Sequence, residues 1–284
     1  MRASPMGEAV QLLPVKTIAH LGPNGTFGEA AALAFAPDAQ RVAFASHARV
    51  VEVVEQGLAD AGVLAAENSI EGSVNETLDL LCFETELFIT AEIIVPVEHC
   101  LIARAGAERP FRVVYSHPQA LAQCRKYLAA HHADAATLAT LSTVAGVERA
   151  LAEEAAAAIG SARAAELAGA EIVERGIQDR AGNVTRFLVL SKTAAAPTGH
   201  DKTSLAFKTA HDRPGTLVEV LSELASRGVN LTKIESRPAR DALGIYVFLV
   251  DFEGHRQDPV VAEVIERVRS KVSWLKSFGS YPRA

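Results

Sequence analysis

Four times along this chain a β-like apolar run gives way to a segment dense in hydroxyl, amide and glycine residues, and a helix-like pattern follows. In Glu67-Asn68-Ser69-Ile70-Glu71-Gly72-Ser73-Val74-Asn75 the run Gly62 to Ala66 precedes and an amphipathic stretch, Glu76 to Leu81, follows. Ser73 is placed to cap that helix, with Glu76 closing a Ser-x-x-Glu capping box. Gly22-Pro23-Asn24-Gly25-Thr26-Phe27-Gly28-Glu29 follows the strand-like Val15 to Leu21, and Thr26 with Glu29 makes a second capping box ahead of the helix Ala30 to Phe35. Ser116-His117-Pro118-Gln119 follows the strand Phe111 to Tyr115, and Pro118 marks the first turn of a helix expected to run to about Ala130. Ser142-Thr143 caps an alanine-rich helix expected to reach about Ala158. A helix start aims free N–H groups and a partial positive charge at one point, which suits an anion. An ordinary capped turn is the alternative for any one segment. Four of them fit an open α/β sheet with a ligand site at the carboxyl ends of its strands.

The bulk properties exclude several classes of function. There are 34 acidic and 28 basic residues, a formal net charge of −6, so nothing electrostatic calls for nucleic acid. Cys82, Cys100 and Cys124 are odd in number and show no C-x-x-C spacing; they read as small buried hydrophobes in a reducing, cytoplasmic setting. Residues 1–14 lack the apolar core of a signal peptide and read as a frayed tail, and no run approaches the length of a membrane span. The nine histidines fall in no metal-binding spacing. His131 and His132 read as solvated, and His99 and His117, at strand ends, as packed or hydrogen-bonded rings. Neither G-x-G-x-x-G nor a Walker A sequence occurs, so no metal, nucleotide or other cofactor is expected. The chemistry left to the chain is that of hydroxyls, amides, backbone groups and arginine.

A seam divides the sequence. Ala194 to Asp201 is small, polar and turn-rich, and residues 196–202 read as a linker. Beyond it Ser204 to Ala210 alternates as a strand, Arg213-Pro214-Gly215 opens a helix over Thr216 to Ser226, and Gly228 ends it. A strand over Val229 to Arg237, a third over Leu243 to Phe252, a helix over Pro259 to Val272 and a last strand over Trp274 to Tyr281 complete a βαββαβ, ferredoxin-like pattern in residues 203–284.

From about Lys16 to the C-terminus the chain resembles the prephenate dehydratase family. The matching motifs are Gly22-Pro23…Gly25-Thr26-Phe27, Glu67-Asn68-Ser69…Gly72-Ser73-Val74, His99-Cys100-Leu101, Ser116-His117-Pro118-Gln119-Ala120-Leu121, and Thr185-Arg186-Phe187 preceded by Asn183. The C-terminal part resembles an ACT domain, whose effector motifs fall on Gly215-Thr216-Leu217-Val218 and Glu235-Ser236-Arg237-Pro238. Two departures are visible: Ala65 stands where many relatives have proline, and Thr216 where alanine is common. The resemblance implies an α/β catalytic domain over residues 15–195, two-lobed like a type II periplasmic binding protein. Lobe one would hold 15–93 and 185–195, lobe two 94–184, with Thr185 on a crossover between them.

The resemblance also implies a reaction, the loss of carbon dioxide and water from prephenate to give phenylpyruvate. Aromatisation of the ring supplies the driving force, so no external electron sink is needed. The protein must hold the pyruvyl carboxylate, hydrogen-bond the departing hydroxyl and leave the ring carboxylate poorly solvated. On that basis Thr185 donates to the leaving hydroxyl, and Arg186 clamps a carboxylate or else forms a structural ion pair. Thr26, Asn68, Ser69, Ser73, Ser116 and Asn183 supply further donors or caps. Glu67 orients donors or acts as the acid, and Phe187 is core or substrate contact. Phenylalanine is the expected effector, met by backbone near Gly215 and Asn230 and by Leu217 and Leu231, between subunits of a homodimer or homotetramer. Arogenate dehydratase is the near alternative, and a non-catalytic amino-acid sensor the remote one.

Overall fold

The computed structural model describes residues 15–211, 213–241 and 244–284. The expected tail, residues 1–14, and Leu243, expected to open a strand, lie outside the described residues. From residue 17 onward the chain separates into two units, Thr17–Leu80 with Ile93–Val189, and Leu81–Glu92 with Leu190–Ala284.

In the first unit, β1 (Thr17–Leu21) leads to α1 (Phe27–Phe35), β2 (Gln40–Phe44), α2 (His47–Glu55), β3 (Ala61–Asn68), β4 (Gly72–Ser73) and α3 (Asn75–Asp79). A π-helical turn, Leu80–Glu84, and β5 (Phe88–Pro96) follow in the chain, the residues Leu81–Glu92 belonging to the second unit. Then come β6 (Cys100–Ala103), β7 (Val113–Ser116), α4 (Pro118–Gln123), α5 (Arg125–His131), β8 (Ala136–Ala139), α6 (Thr143–Leu151), β9 (Ala156–Gly160), α7 (Ala162–Ala168), β10 (Glu171–Glu174) and β11 (Val184–Ser191). One sheet runs β2-β1-β3-β11-β5 with β4 on β3, and a second runs β10-β6-β9-β7-β8. β1 pairs in parallel with β2 and β3, as β7 does with β8 and β9. Both sheets therefore present parallel carboxyl ends, as the four junctions predict.

Several local expectations are corrected. Ser73 does not cap a helix: it lies in β4 opposite Glu67, α3 starts after Val74, and Glu76 turns to His47 instead. Thr26 does stand at the N-cap of α1, but its hydroxyl donates to the Leu21 carbonyl, and Glu29 accepts from Gly25 N at 2.6 Å. The helix expected to reach Ala130 breaks at Cys124, because the Asp179 carboxylate accepts the N–H groups of Lys126 and Tyr127 and starts α5 afresh. Ser142 caps α6 as expected, accepting from Ala145 N at 3.0 Å. That helix ends at Leu151, and Ala156 to Ala158 form a fully buried central strand between β6 and β7. Alanine is a helix former, but small side chains also let β9 lie under α6, and packing overrides propensity.

The two sheets meet through a short polar latch. Ser161, N-cap of α7, accepts from Ala164 N and donates to the Gly25 carbonyl at 2.6 Å. Gly25 has φ +89, and a Cβ there would lie 3.1 Å from the Ala164 Cα, so glycine is required on two counts.

The second unit carries β12 (Asp201–Thr209), α8 (Thr216–Ala225), β13 (Leu231–Pro238), β14 (Tyr246–Glu253), α9 (Pro259–Arg269) and β15 (Val272–Pro282). Its sheet order is β13-β14-β12-β15, antiparallel throughout, which is the expected ferredoxin-like pattern. Leu205, Phe207, Val220, Leu224, Phe252 and Val264 form its core. The expected linker is an ordered turn: Asp201 accepts from the Thr198 and Gly199 N–H groups and already opens β12. Leu81–Glu92 was expected in lobe one; within this unit Lys202 Nζ lies 2.8 Å from Glu92 Oε1, and Lys276 donates to the Thr85 carbonyl.

Candidate active site

Between the two sheets of the first unit lies a cleft of about 320 Å³. The loops and helix starts that follow strands form most of its walls: Gly22 and Thr26 to Gly28 after β1, His47 opening α2, Asn68 ending β3, His117, Gln119 and Ala120 at α4, and Leu141 to Thr143 before α6. Thr185 and Phe187 of β11 and His99 and Gln123 complete it. Among these lining residues there is no lysine, arginine, aspartate or glutamate. What this lining offers a charged ligand is backbone N–H groups at the starts of α1, α2 and α6, each nine residues long, and polar side chains.

Thr185 is held by a buried chain of amides. Asn68 Nδ2 donates to Thr185 Oγ1 and to Asn183 Oδ1, both at 2.9 Å. Asn183 Nδ2 donates to Gln123 Oε1 at 3.0 Å, and His99 Nε2 lies 3.0 Å from the same oxygen. Asn68 Nδ2 also donates to the Val184 carbonyl and its Oδ1 accepts the N–H groups of Ile70 and Glu71, so the asparagine cannot turn over without losing five bonds. The threonine oxygen is thus fixed by a donor, and among the described residues no acceptor takes its hydroxyl proton. That proton is left for a ligand.

The structure sorts the predicted site residues. Thr26, Asn68, Thr185 and Phe187 line the cleft. Ser69 and Asn183 do not: Ser69 Oγ donates to Asn183 Oδ1 and accepts from Val184 N, so both brace β11 from behind. Ser73 stays in β4. Ser116 is fully buried and donates to the Ile159 carbonyl at 2.6 Å, which removes it from the set of substrate donors. Strand alternation sends Thr185 and Phe187 to the cleft and Arg186 to the opposite face of β11. There its Nη1 lies 3.8 Å from Glu67 Oε2, the ion-pair alternative rather than a clamp, and neither residue lines the cleft.

Three histidines were missed as cleft residues. His99 Nδ1 and His47 Nε2 are buried with no partner among the described residues. Burial holds the His99 imidazole below its ordinary range, against the opposing hydrogen bond to Gln123. His117 caps α4 through Nδ1, which accepts from Gln119 N. Ser46-His47 lies at the junction of β2 and α2, so the rule that found the other four junctions reaches it too. All three cysteines are buried and free, as expected; burial pushes the Cys124 thiol up to about 12.

In the second unit, Gly215 stands at the N-cap of α8 with φ +90, and Thr216 donates to the Arg213 carbonyl. Leu217 and Leu231 pack against the core, Val218 is exposed, and the Asn230 carbonyl accepts from Glu253 N. Glu235, Ser236, Arg237 and Pro238 end β13, the edge strand, where Glu235 lies 3.5 Å from Lys233.

Comparison with known proteins decides the family. The family model for prephenate dehydratase matches residues 18–195, and that for the ACT domain residues 203–270. The chain belongs to the prephenate dehydratase family. A bifunctional chorismate mutase/prephenate dehydratase of Aquifex aeolicus is 41% identical over 268 residues, covering 94% of this chain and 74% of that protein. The prephenate dehydratase of Amycolatopsis methanolica is 37% identical over 271 residues, covering 94% and 88%. Arogenate dehydratase 1 of Petunia hybrida is 37% identical over 284 residues, covering 93% and 66%. The crystal structure of prephenate dehydratase from Arthrobacter aurescens in complex with L-Phe superposes with a TM-score of 0.86 at 38% identity, covering 94% of this chain and 90% of that one.

Proposed function

We propose that the cleft binds prephenate and converts it to phenylpyruvate, carbon dioxide and water, with Thr185 donating a hydrogen bond to the departing hydroxyl. One observation carries the assignment: Asn68 fixes the Thr185 oxygen at 2.9 Å while the hydroxyl proton stays uncommitted in the cleft. As the C–O bond breaks, negative charge grows on the leaving oxygen, and a donor already in place stabilises it without reorganisation. The pair from the ring C–carboxylate bond enters the ring, and aromatisation completes the step. The substrate carboxylates meet the N–H groups at the starts of α1, α2 and α6. The apolar lining from Leu21, Phe27, Val63, Val97 and Phe187 leaves the ring carboxylate poorly hydrated.

A keto acid suits this lining better than an amino acid. The ammonium of arogenate would find no carboxylate among the lining residues. For control, we propose that phenylalanine binds in the ACT domain around Gly215-Thr216-Leu217-Val218, Asn230-Leu231 and Glu235-Ser236-Arg237-Pro238, between subunits of a homodimer or homotetramer. The resemblance to the L-Phe-bound relative supports that reading. No helix among the described residues is long and apolar enough to cross a membrane, and we propose a cytoplasmic location. The test is to incubate the protein with prephenate or arogenate and follow phenylpyruvate and phenylalanine. Formation of phenylpyruvate from prephenate is expected at the higher kcat/KM. A higher value for arogenate would reverse the assignment of substrate.

A further inference from the structure

We infer that His47, held by Glu76, delivers the proton that turns the departing hydroxyl into water; the inference rests on the reading of the cleft given above and deepens it. Hydroxide is a poor leaving group, and a hydroxyl such as that of Thr185 gives up its own proton only at high cost. The lining side chains whose chemistry allows them to carry a proton and hand it on are the imidazoles of His47, His99 and His117. His99 has its Nε2 engaged with Gln123 and is held toward the neutral form by burial. His117 uses Nδ1 to cap α4.

His47 differs from both. Its side chain is 7% exposed, its Nδ1 lies 3.1 Å from Glu76 Oε2, and its Nε2 is buried without a partner among the described residues. A carboxylate only accepts, so Nδ1 carries the hydrogen of that bond, and Nε2, on a residue that lines the cleft, is the ring nitrogen left without a partner among the described residues. This is the arrangement in which a carboxylate orients an imidazole and compensates its charge when the second nitrogen is protonated. The elements packed against α2 bring further charged groups: Asp79 beside Glu76 on α3, His20 on β1, Arg41 on β2 and Glu67 on β3, with Arg49, Glu52 and Glu55 on α2 itself. Of these, Glu76 is the one bonded to the ring.

In the step, the C–O bond of the substrate breaks with its electron pair going to oxygen, and the proton moves from His47 Nε2 to that oxygen to give water. The pair from the C–carboxylate bond forms the new ring π bond and carbon dioxide leaves. His47 ends neutral and regains its proton from solvent. Glu76 is a positioning residue.

The experiment is the pH dependence of kcat with prephenate in wild type, His47→Gln, His47→Ala, Glu76→Gln and Thr185→Val, with circular dichroism to establish that each is folded. His47→Gln should lower kcat by roughly 100-fold or more, the scale of general acid catalysis, and abolish the fall in rate at alkaline pH that loss of the imidazolium causes. Glu76→Gln should move that fall to lower pH, Thr185→Val should keep it, and imidazole in the buffer should restore part of the His47→Ala rate. A His47→Gln enzyme with wild-type kcat and pH profile, or a folded His47→Ala enzyme that imidazole does not rescue, overturns the inference. Failure of the wild type to form phenylpyruvate overturns the reading of the cleft instead.

Discussion

The Thr185 oxygen is held in place because Asn68 is itself tied down. With its oxygen fixed from one side, the hydroxyl can turn its proton to one place, and the entropy of finding a leaving group is largely removed. Thr185→Val keeps the shape and deletes the donor, so kcat should drop by roughly 100-fold or more, as for loss of one preorganised donor. KM should change much less, since the bond strengthens as charge develops. Thr185→Ser should retain more activity than Thr185→Val; equal loss in the two would mean that packing matters there and the hydroxyl does not. A second residue-scale effect concerns stability. Burial lowers the proton affinity of His20, His99 and His132 in the folded state below the ordinary value of 6.5. Below about pH 6.5 the unfolded chain therefore binds more protons than the folded one, and stability falls as pH falls. Urea midpoints measured between about pH 7 and pH 5 should decline, and His99→Gln should make the decline shallower. That Thr26 and Asn68 line the cleft was legible in the sequence because their motifs and their place at strand ends agree, whereas Thr185, inside β11, was legible from its motif alone. Arg186 and Ser116 were not, since which face a strand residue takes depends on the neighbouring strand.

Among the elements, α6 both packs on its sheet and opens at the cleft within nine residues. Its start lines the cleft, and its Gly146 lies against the backbone of β7: a Cβ there would meet Ser116 Cα and Tyr115 C at 3.1 Å. Gly146→Ala should push α6 off the sheet, costing about 1–3 kcal/mol in chemical denaturation and raising KM more than it lowers kcat. An unchanged KM would show that the start of α6 does not hold substrate. The sequence predicted where α6 starts, because a serine cap is a local signal. It did not predict where α6 ends or that β9 is a strand, because an alanine run suits either state and its neighbours, β6 and β7, lie far away in sequence. The break at Cys124 was equally hidden: the carboxylate that restarts α5 comes from Asp179, more than 50 residues on.

For the molecule as a whole, the ferredoxin-like pattern of the second unit was readable, since its strands and helices alternate in short, well-punctuated lengths. The membership of Leu81–Glu92 in that unit was not, for its partner Lys202 lies 110 positions away. Regulation should follow the same division: added phenylalanine should inhibit, and Ser236→Ala with Arg237→Ala should weaken inhibition while leaving the uninhibited kcat unchanged. Inhibition curves identical to wild type would place the effector in the cleft. The absence of charged side chains from the cleft lining has a further consequence, for how this protein can evolve. A side-chain cation can be erased by one codon change, whereas a backbone N–H survives every substitution but proline. On the reading of the cleft proposed above, drift across the helix starts should leave anion recognition almost untouched while it reshapes everything else about the pocket, so that preference among related acids can be rewritten without losing the grip on their charge.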